Sequence, residues 1–126
     1  MKKQDIIRVF LYCWLFAAAV VFVMQFFFSG LIANASLWNG SIGWQREIAL
    51  WNLGMIFAIV YALRINDLRT IQYLTLVLVI ISFILGINHL LTLIFNRATA
   101  LTHLFGVIFN FLAVISGFYV LNITRR

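Results

Sequence analysis

The sequence predicts an all-α integral membrane protein, a four-helix up-down-up-down bundle forming one domain over residues 1–126. Three observations predict it. The chain is 65% hydrophobic and only 10% charged over 126 residues, where a soluble domain carries about 25% charge. A soluble fold of this size cannot hide so much apolar surface, so lipid must be the solvent. The apolar residues fall into four long runs parted by short polar breaks, and about 20 apolar residues suffice for a helix to cross a bilayer. Proline is absent, and no run has the alternating pattern of a membrane barrel strand. Each run therefore reads as helix, which satisfies its own amides in lipid.

The first span is expected over residues 6–28, interrupted only by Arg8, Tyr12 and Gln25. Lys2, Lys3 and Arg8 ahead of it, and Ala33-Asn34-Ala35 after it, resemble the ends of a signal peptide. The apolar stretch is longer than the usual 7–15 residues of such a peptide's core, which favours a retained helix. Residues 29–44 form the longest non-spanning segment. Its Trp38 and Trp44 favour the headgroup layer, so this loop is expected on the membrane surface, with room for a short interfacial helix around Leu31 to Leu37.

The second span, 45–63, opens on Gln45-Arg46-Glu47. A tight charged linker, Arg64-Ile65-Asn66-Asp67-Leu68-Arg69, leads to the third span at 70–95. A polar turn at Asn96-Arg97 leads to the fourth at 99–121. Short turns make successive helices neighbours, hence the up-down-up-down order. No repeat of 20–50 residues and no second domain is present.

The basic residues set orientation. Lys2, Lys3, Arg8, Arg64, Arg69, Arg125 and Arg126 fall at one end of the bundle, and only Arg46 and Arg97 at the other. Positive charge marks the cytoplasmic side, so both termini are expected in the cytoplasm of a bacterial inner membrane. The net charge of +6 is spent on these span ends. There is no basic stripe with interleaved aromatics, so nucleic acid is excluded as a partner. The expected partner is the lipid bilayer, with a homo-oligomer or a larger membrane complex left open. The single cysteine, Cys13, sits in an apolar run and reads as a packed thiol.

Polar residues inside spans are costly and usually face protein or water. On the fourth span His103, Gly106, Asn110, Ala113 and Gly117 share one face. Small residues let membrane helices approach, and Asn110 can bond across the contact. Thr75, Ser82, Gly86 and His89 form the matching stripe on the third. On the second, Glu47, Trp51, Gly54, Ala58 and Tyr61 lie on one side, while Gln45 and Asn52 share another face.

The two histidines of the chain lie seven residues either side of Asn96, which puts both about 10 Å below the turn on adjacent helices. Asn52 and Asn88 should reach a similar depth. Glu47, nearer the surface, reads either as an interfacial carboxylate complementing a helix dipole or as an inward partner holding one imidazole's tautomer. The candidate site is thus an outward-side pocket of His89, His103, Asn52, Asn88 and Glu47.

Three chemistries use paired histidines. Haem needs two opposed ligands with the macrocycle between them, for which adjacent hairpin helices leave little room. Zinc held by His89, His103 and Glu47 would have a known ligand set, but no supporting motif spacing is present. Hydrogen bonding to a quinone-like molecule asks for the least special geometry. Against all three stands a purely structural pair, and no cofactor is expected. Ion-coupled transport is set aside because none of Asp5, Glu47 and Asp67 falls at mid-membrane depth.

The stretch Trp44-Gln45-Arg46-Glu47-Ile48-Ala49-Leu50-Trp51-Asn52-Leu53-Gly54, together with Gly86-Ile87-Asn88-His89-Leu90, resembles motifs of small bacterial membrane proteins related to the DoxX group. The resemblance covers two short pieces. A glycine and a lysine expected further along the first helix are missing. It implies a four-helix inner-membrane bundle and a quinone-adjacent role, and transfers no catalytic residue. The expected function is a non-enzymatic structural or accessory subunit. The alternative is a redox-related or ligand-binding protein built around His89 and His103.

Overall fold

The computed structural model describes residues 3–38, 41–96 and 100–125. Lys2, Arg97 and Arg126, which entered the charge tally, and Thr99, the expected start of the last span, lie outside them. The described chain is helical throughout its regular structure: α1 (Lys3–Phe27), α2 (Ser29–Ala35), α3 (Ile42–Ile65), α4 (Leu68–Asn96) and α5 (Leu101–Arg125). All but α2 are long and apolar enough to cross a membrane. The fold is therefore the expected four-helix bundle of a multi-pass membrane protein, and α2 is the short helix in the long loop.

Capping explains why the helices outrun the expected spans. Ser41 caps α3 by accepting a hydrogen bond from the Trp44 backbone N–H at 3.2 Å, so α3 starts at Ile42 instead of Gln45. At its far end Asn66 adopts a left-handed conformation with φ 59°. Asparagine is one of the few non-glycine residues that do so readily. Asp67 then starts α4 at once: its Oδ2 accepts both the Thr70 backbone N–H and the Thr70 hydroxyl at 2.8 Å. These two bonds hold the exposed Asp67 carboxyl below its ordinary value. The charged linker thus shrinks to two residues. The Arg8 guanidinium donates to Asn66 Oδ1 and ties α1 to this turn. At 29 residues, α4 is about 43 Å long, against about 30 Å of hydrocarbon. It is thus longer than the hydrocarbon layer it would cross.

The two most extensive packings are α4 on α5 and α1 on α3, with α1 also lying along α5. The apolar core gathers Ile7 and Leu11 of α1, Ile59 of α3, Leu78 and Val79 of α4 and Leu121 of α5. These residues come from the end of the bundle that carries Arg8, Arg64, Arg69 and Arg125. Toward the other end the buried residues turn polar: Ser29, Gln45, Thr92 and His103. Large apolar side chains such as Trp51 and Phe109 point outward, 77% and 66% exposed, where lipid covers them.

The α4–α5 contact runs along the expected stripes. A Cβ added to Gly117 would collide with Val79 Cγ2, and one at Gly86 would stand 3.2 Å from Asn110 Cβ. One detail differs. Asn110 does not bond across the contact but donates to the Gly106 carbonyl of its own helix at 2.7 Å. With its Cβ pressed against Gly86, its amide turns back along α5. On α3 the buried face is that of Gln45, Ala49, Ile59 and Ala62. The side bearing Glu47, Trp51, Gly54 and Tyr61 faces out.

Candidate functional site

The histidine pair forms at the polar end of the α4–α5 contact. His89 projects from α4 onto Gly106 of α5, whose missing side chain makes the space: an added Cβ would lie 2.6 Å from the imidazole Cγ and Cδ2. His103, 1% exposed, meets it from α5, and the two Nδ1 atoms are 3.0 Å apart.

The proton on this contact is assigned by the neighbour on the other side. The Leu37 backbone N–H points at His103 Nε2 at 3.0 Å. A backbone N–H only donates, so Nε2 accepts and the neutral His103 carries its proton on Nδ1. His103 therefore donates to His89 Nδ1, and His89 carries its own proton on Nε2. Among the described residues Nε2 of His89 has no hydrogen-bond partner.

Residues 36–38, which follow α2, fold over this pair. Trp38 stacks on His89, with ring centroids 4.9 Å apart and planes at 27°. It also meets His103 edge-on at 4.6 Å. Its indole Nε1–H donates to Thr92 Oγ1 at 2.6 Å, and the Thr92 hydroxyl passes its own proton to the Asn88 carbonyl at 2.8 Å. Ser36 Oγ accepts the Trp38 backbone N–H at 3.1 Å and lies 3.4 Å from His103 Nε2. Thr102 Oγ1 donates to the Ala35 carbonyl at 2.8 Å. Residues 35–38 are thus held to α4 and α5 through backbone and side chain alike.

Of the five residues expected to share the site, the structure brings together His89 and His103. Asn88 contributes its backbone carbonyl, while its side chain is exposed. Asn52 donates its amide to the Ile48 carbonyl of its own helix at 2.9 Å. Glu47 is exposed on the outer face of α3, in the interfacial position and not the inward one. The reason is the rotation of α3, which is set by burying Gln45 and Ala49 and turns Glu47 away from the bundle.

Sequence reasoning missed Trp38, Thr92, Ser36, Thr102 and the Leu37 amide. Thr92 carried a weak signal, lying one turn beyond both Asn88 and His89. Trp38 carried none that separates a tryptophan in the headgroup layer from one over a histidine pair. The backbone donor at Leu37 leaves no mark in sequence at all.

Chemically, the site is a clasp whose polar atoms are largely satisfied within the chain. Among the described residues no three of His, Cys, Asp and Glu stand together as metal ligands. Comparison with family models, with curated proteins and with solved structures gives no match.

Proposed function

We propose that this chain is a small integral inner-membrane protein that serves as a non-enzymatic structural or accessory subunit, with its histidine pair locking the α2–α3 linker onto the α4–α5 hairpin. One observation carries the reading. Of the four imidazole nitrogens, three are committed to bonds within the chain, and the indole of Trp38 stacks on His89 and meets His103 edge-on. A buried polar group left without a partner costs about 1–3 kcal/mol, so a ligand that displaced the linker would have to replace each of these contacts. Orientation belongs to the same proposal. The arginine-rich end lies in the cytoplasm with both termini, and the linker faces outward, as the positive-inside rule directs. The likeness of two short stretches to the DoxX group lends support to a bacterial inner-membrane setting.

The second reading is favoured by the donor of the histidine pair that has no partner among the described residues. The N–H at His89 Nε2 can meet one carbonyl oxygen of a quinone-like molecule. A single preparation separates the two. The protein is purified in mild detergent, its absorbance spectrum recorded and its lipid extract examined by mass spectrometry. The subunit reading expects only aromatic absorbance and no stoichiometric quinone. A stoichiometric quinone that His89→Ala releases while far-ultraviolet circular dichroism stays unchanged would move the function to the second reading. Reporter fusions after Arg126 test the orientation: a cytoplasmic reporter should be active and a periplasmic one silent.

A further inference from the structure

We propose that the groove between the first turns of α4 and the last turns of α5 is a binding site for an anionic phospholipid, with the headgroup phosphate held between Arg69 and Arg125. The groove has a volume of about 280 Å³ and is lined by Arg69, Gln72, Tyr73, Leu76, Leu121 and Arg125. That lies just under the roughly 300–1,000 Å³ of small-molecule sites, which suits a headgroup and the first part of a chain.

Its two ends differ in chemistry. Arg69 and Arg125 are exposed at the rim, on neighbouring antiparallel helices. Guanidinium groups pair with phosphate oxygens through parallel N–H bonds, and two of them flank one phosphodiester. Leu76 and buried Leu121 lie deeper, toward the apolar part of the bundle, where they offer a wall to an acyl chain. Tyr73, 72% exposed, stands between these levels, as tyrosine does at a membrane interface.

Two negative features of this end have partners of their own. The last carbonyls of a helix repel anions, but the Thr124 carbonyl of α5 accepts the Gln72 Nε2 amide at 3.1 Å. Asp67, the nearest carboxylate in sequence, does not line the groove; it accepts from Thr70 at the start of α4 and its charge also faces Arg69. The charged side chains that line the groove itself, Arg69 and Arg125, are both positive. Basic pockets between spanning helices are where anionic headgroups settle, and each arginine near the surface contributes about 1 kcal/mol, or about fivefold in affinity.

The test uses the full chain in an uncharged detergent. Phosphatidylglycerol, phosphatidylcholine and inorganic phosphate are titrated separately, and retained adducts are counted by native mass spectrometry. One phosphatidylglycerol should be retained per chain in preference to phosphatidylcholine. The double variant R69Q/R125Q should weaken retention about thirtyfold and either single variant about fivefold. Arg64→Gln, at the same end but outside the groove, should leave it unchanged. Equal retention of both lipids, equal loss in the Arg64 variant, or no loss in the arginine variants would overturn the proposal. Displacement of phosphatidylglycerol by an equal concentration of inorganic phosphate would overturn it too, by showing a site for free phosphate. Both arginines are exposed, so the fold should survive. If circular dichroism shows that the double variant does not fold, the fivefold effects of the single variants decide.

Discussion

Replacing Gly106 with alanine adds one methyl group at the point where α5 meets the His89 ring. The new Cβ would stand 2.6 Å from Cγ and Cδ2 and 2.7 Å from Cε1 of the imidazole. Carbon atoms rest at about 3.5–4.0 Å, so the ring must retreat by about 1 Å. Two neighbours oppose that movement. Trp38 stacks on the ring, and His103 holds its Nδ1 at 3.0 Å. Retreat therefore breaks the histidine–histidine bond and strands the buried His103 N–H, at about 1–3 kcal/mol. Staying in place overpacks the contact at a similar cost of about 1–3 kcal/mol. The two costs are alternatives for one movement and do not simply add. Alanine in a helix interior recovers about 1 kcal/mol relative to glycine. The net destabilisation should fall at about 0–2 kcal/mol.

Gly54 provides the contrast. It also sits inside a long helix, but a Cβ there meets nothing within 4 Å. Gly54→Ala should therefore be neutral or stabilising by up to about 1 kcal/mol. Thermal unfolding in detergent, followed by far-ultraviolet circular dichroism, should place Gly106→Ala below Gly54→Ala, since the gain from alanine is common to both and only Gly106→Ala meets a neighbour. If the two variants unfold together, the His89 ring does not lie against Gly106 and the geometry of the clasp is refuted.

Gly117→Leu should destabilise the same helix contact by about 1–3 kcal/mol, because even a Cβ there collides with Val79. Phe109→Leu, at a 66% exposed position, should be mild in the same unfolding assay, and equal effects would mean the wrong face of α5 has been assigned to the contact. His103→Ala removes the acceptor for the Leu37 amide, so hydrogen exchange at that amide should accelerate about tenfold for each 1.4 kcal/mol lost. Unchanged exchange would separate the linker from the histidine pair. Trp38→Phe keeps an aromatic ring over His89 but loses the donor to Thr92, at about 0.5–1.5 kcal/mol, and Trp38→Ala should cost more in thermal unfolding. At the opposite turn, the Asp67 carboxyl is held below its ordinary value by Thr70. Its contribution is present above the unfolded carboxylate value, about 3.9, and is lost as pH falls through the lower folded value. Stability measured across that acid range should decline in the parent, and Asp67→Asn should remove that part of the decline.

What was legible in the sequence was what lipid imposes on every residue. The four spans follow from the length of apolar runs, and the inward faces of α4 and α5 from small and polar residues at helical spacing. His89 and His103 were placed at one depth simply by counting from the turn. The rotation of α3 was not legible, because Glu47 and Gln45 both suit the start of a helix. Only packing of Ala49 and Gln45 against the bundle decides between them. Trp38 was assigned to the headgroup layer on its chemistry alone. Its contact with the histidines depends on where residues 35–38 fold back, and that is set partly by a backbone amide no side-chain pattern encodes.

Lipid also explains why the ties lie where they do. In water the apolar effect would press the two helix pairs, α1 with α3 and α4 with α5, against each other. In a bilayer acyl chains are as apolar as leucine, so that drive vanishes and packing and polar contacts must do the joining. Between the pairs, long polar side chains near mid-bilayer would risk desolvation without a partner. Beyond the apolar core that all four long helices share, polar ties form at both ends. At the arginine-rich end Arg8 of α1 reaches the left-handed Asn66 in the α3–α4 turn. At the other end Thr102, His103 and Thr92 take hold of the linker that leads into α3. Each tie spans a chain separation of more than fifty residues, and each uses a loop atom whose position is fixed by a cap or a stacked ring. Between them, glycines at 86, 106 and 117 bring α4 and α5 close enough for dispersion to act. The histidine pair is on this view one of two end fastenings. The burial of His103 is tolerable because the Leu37 amide donates to its Nε2 and the His89 imidazole accepts from its Nδ1.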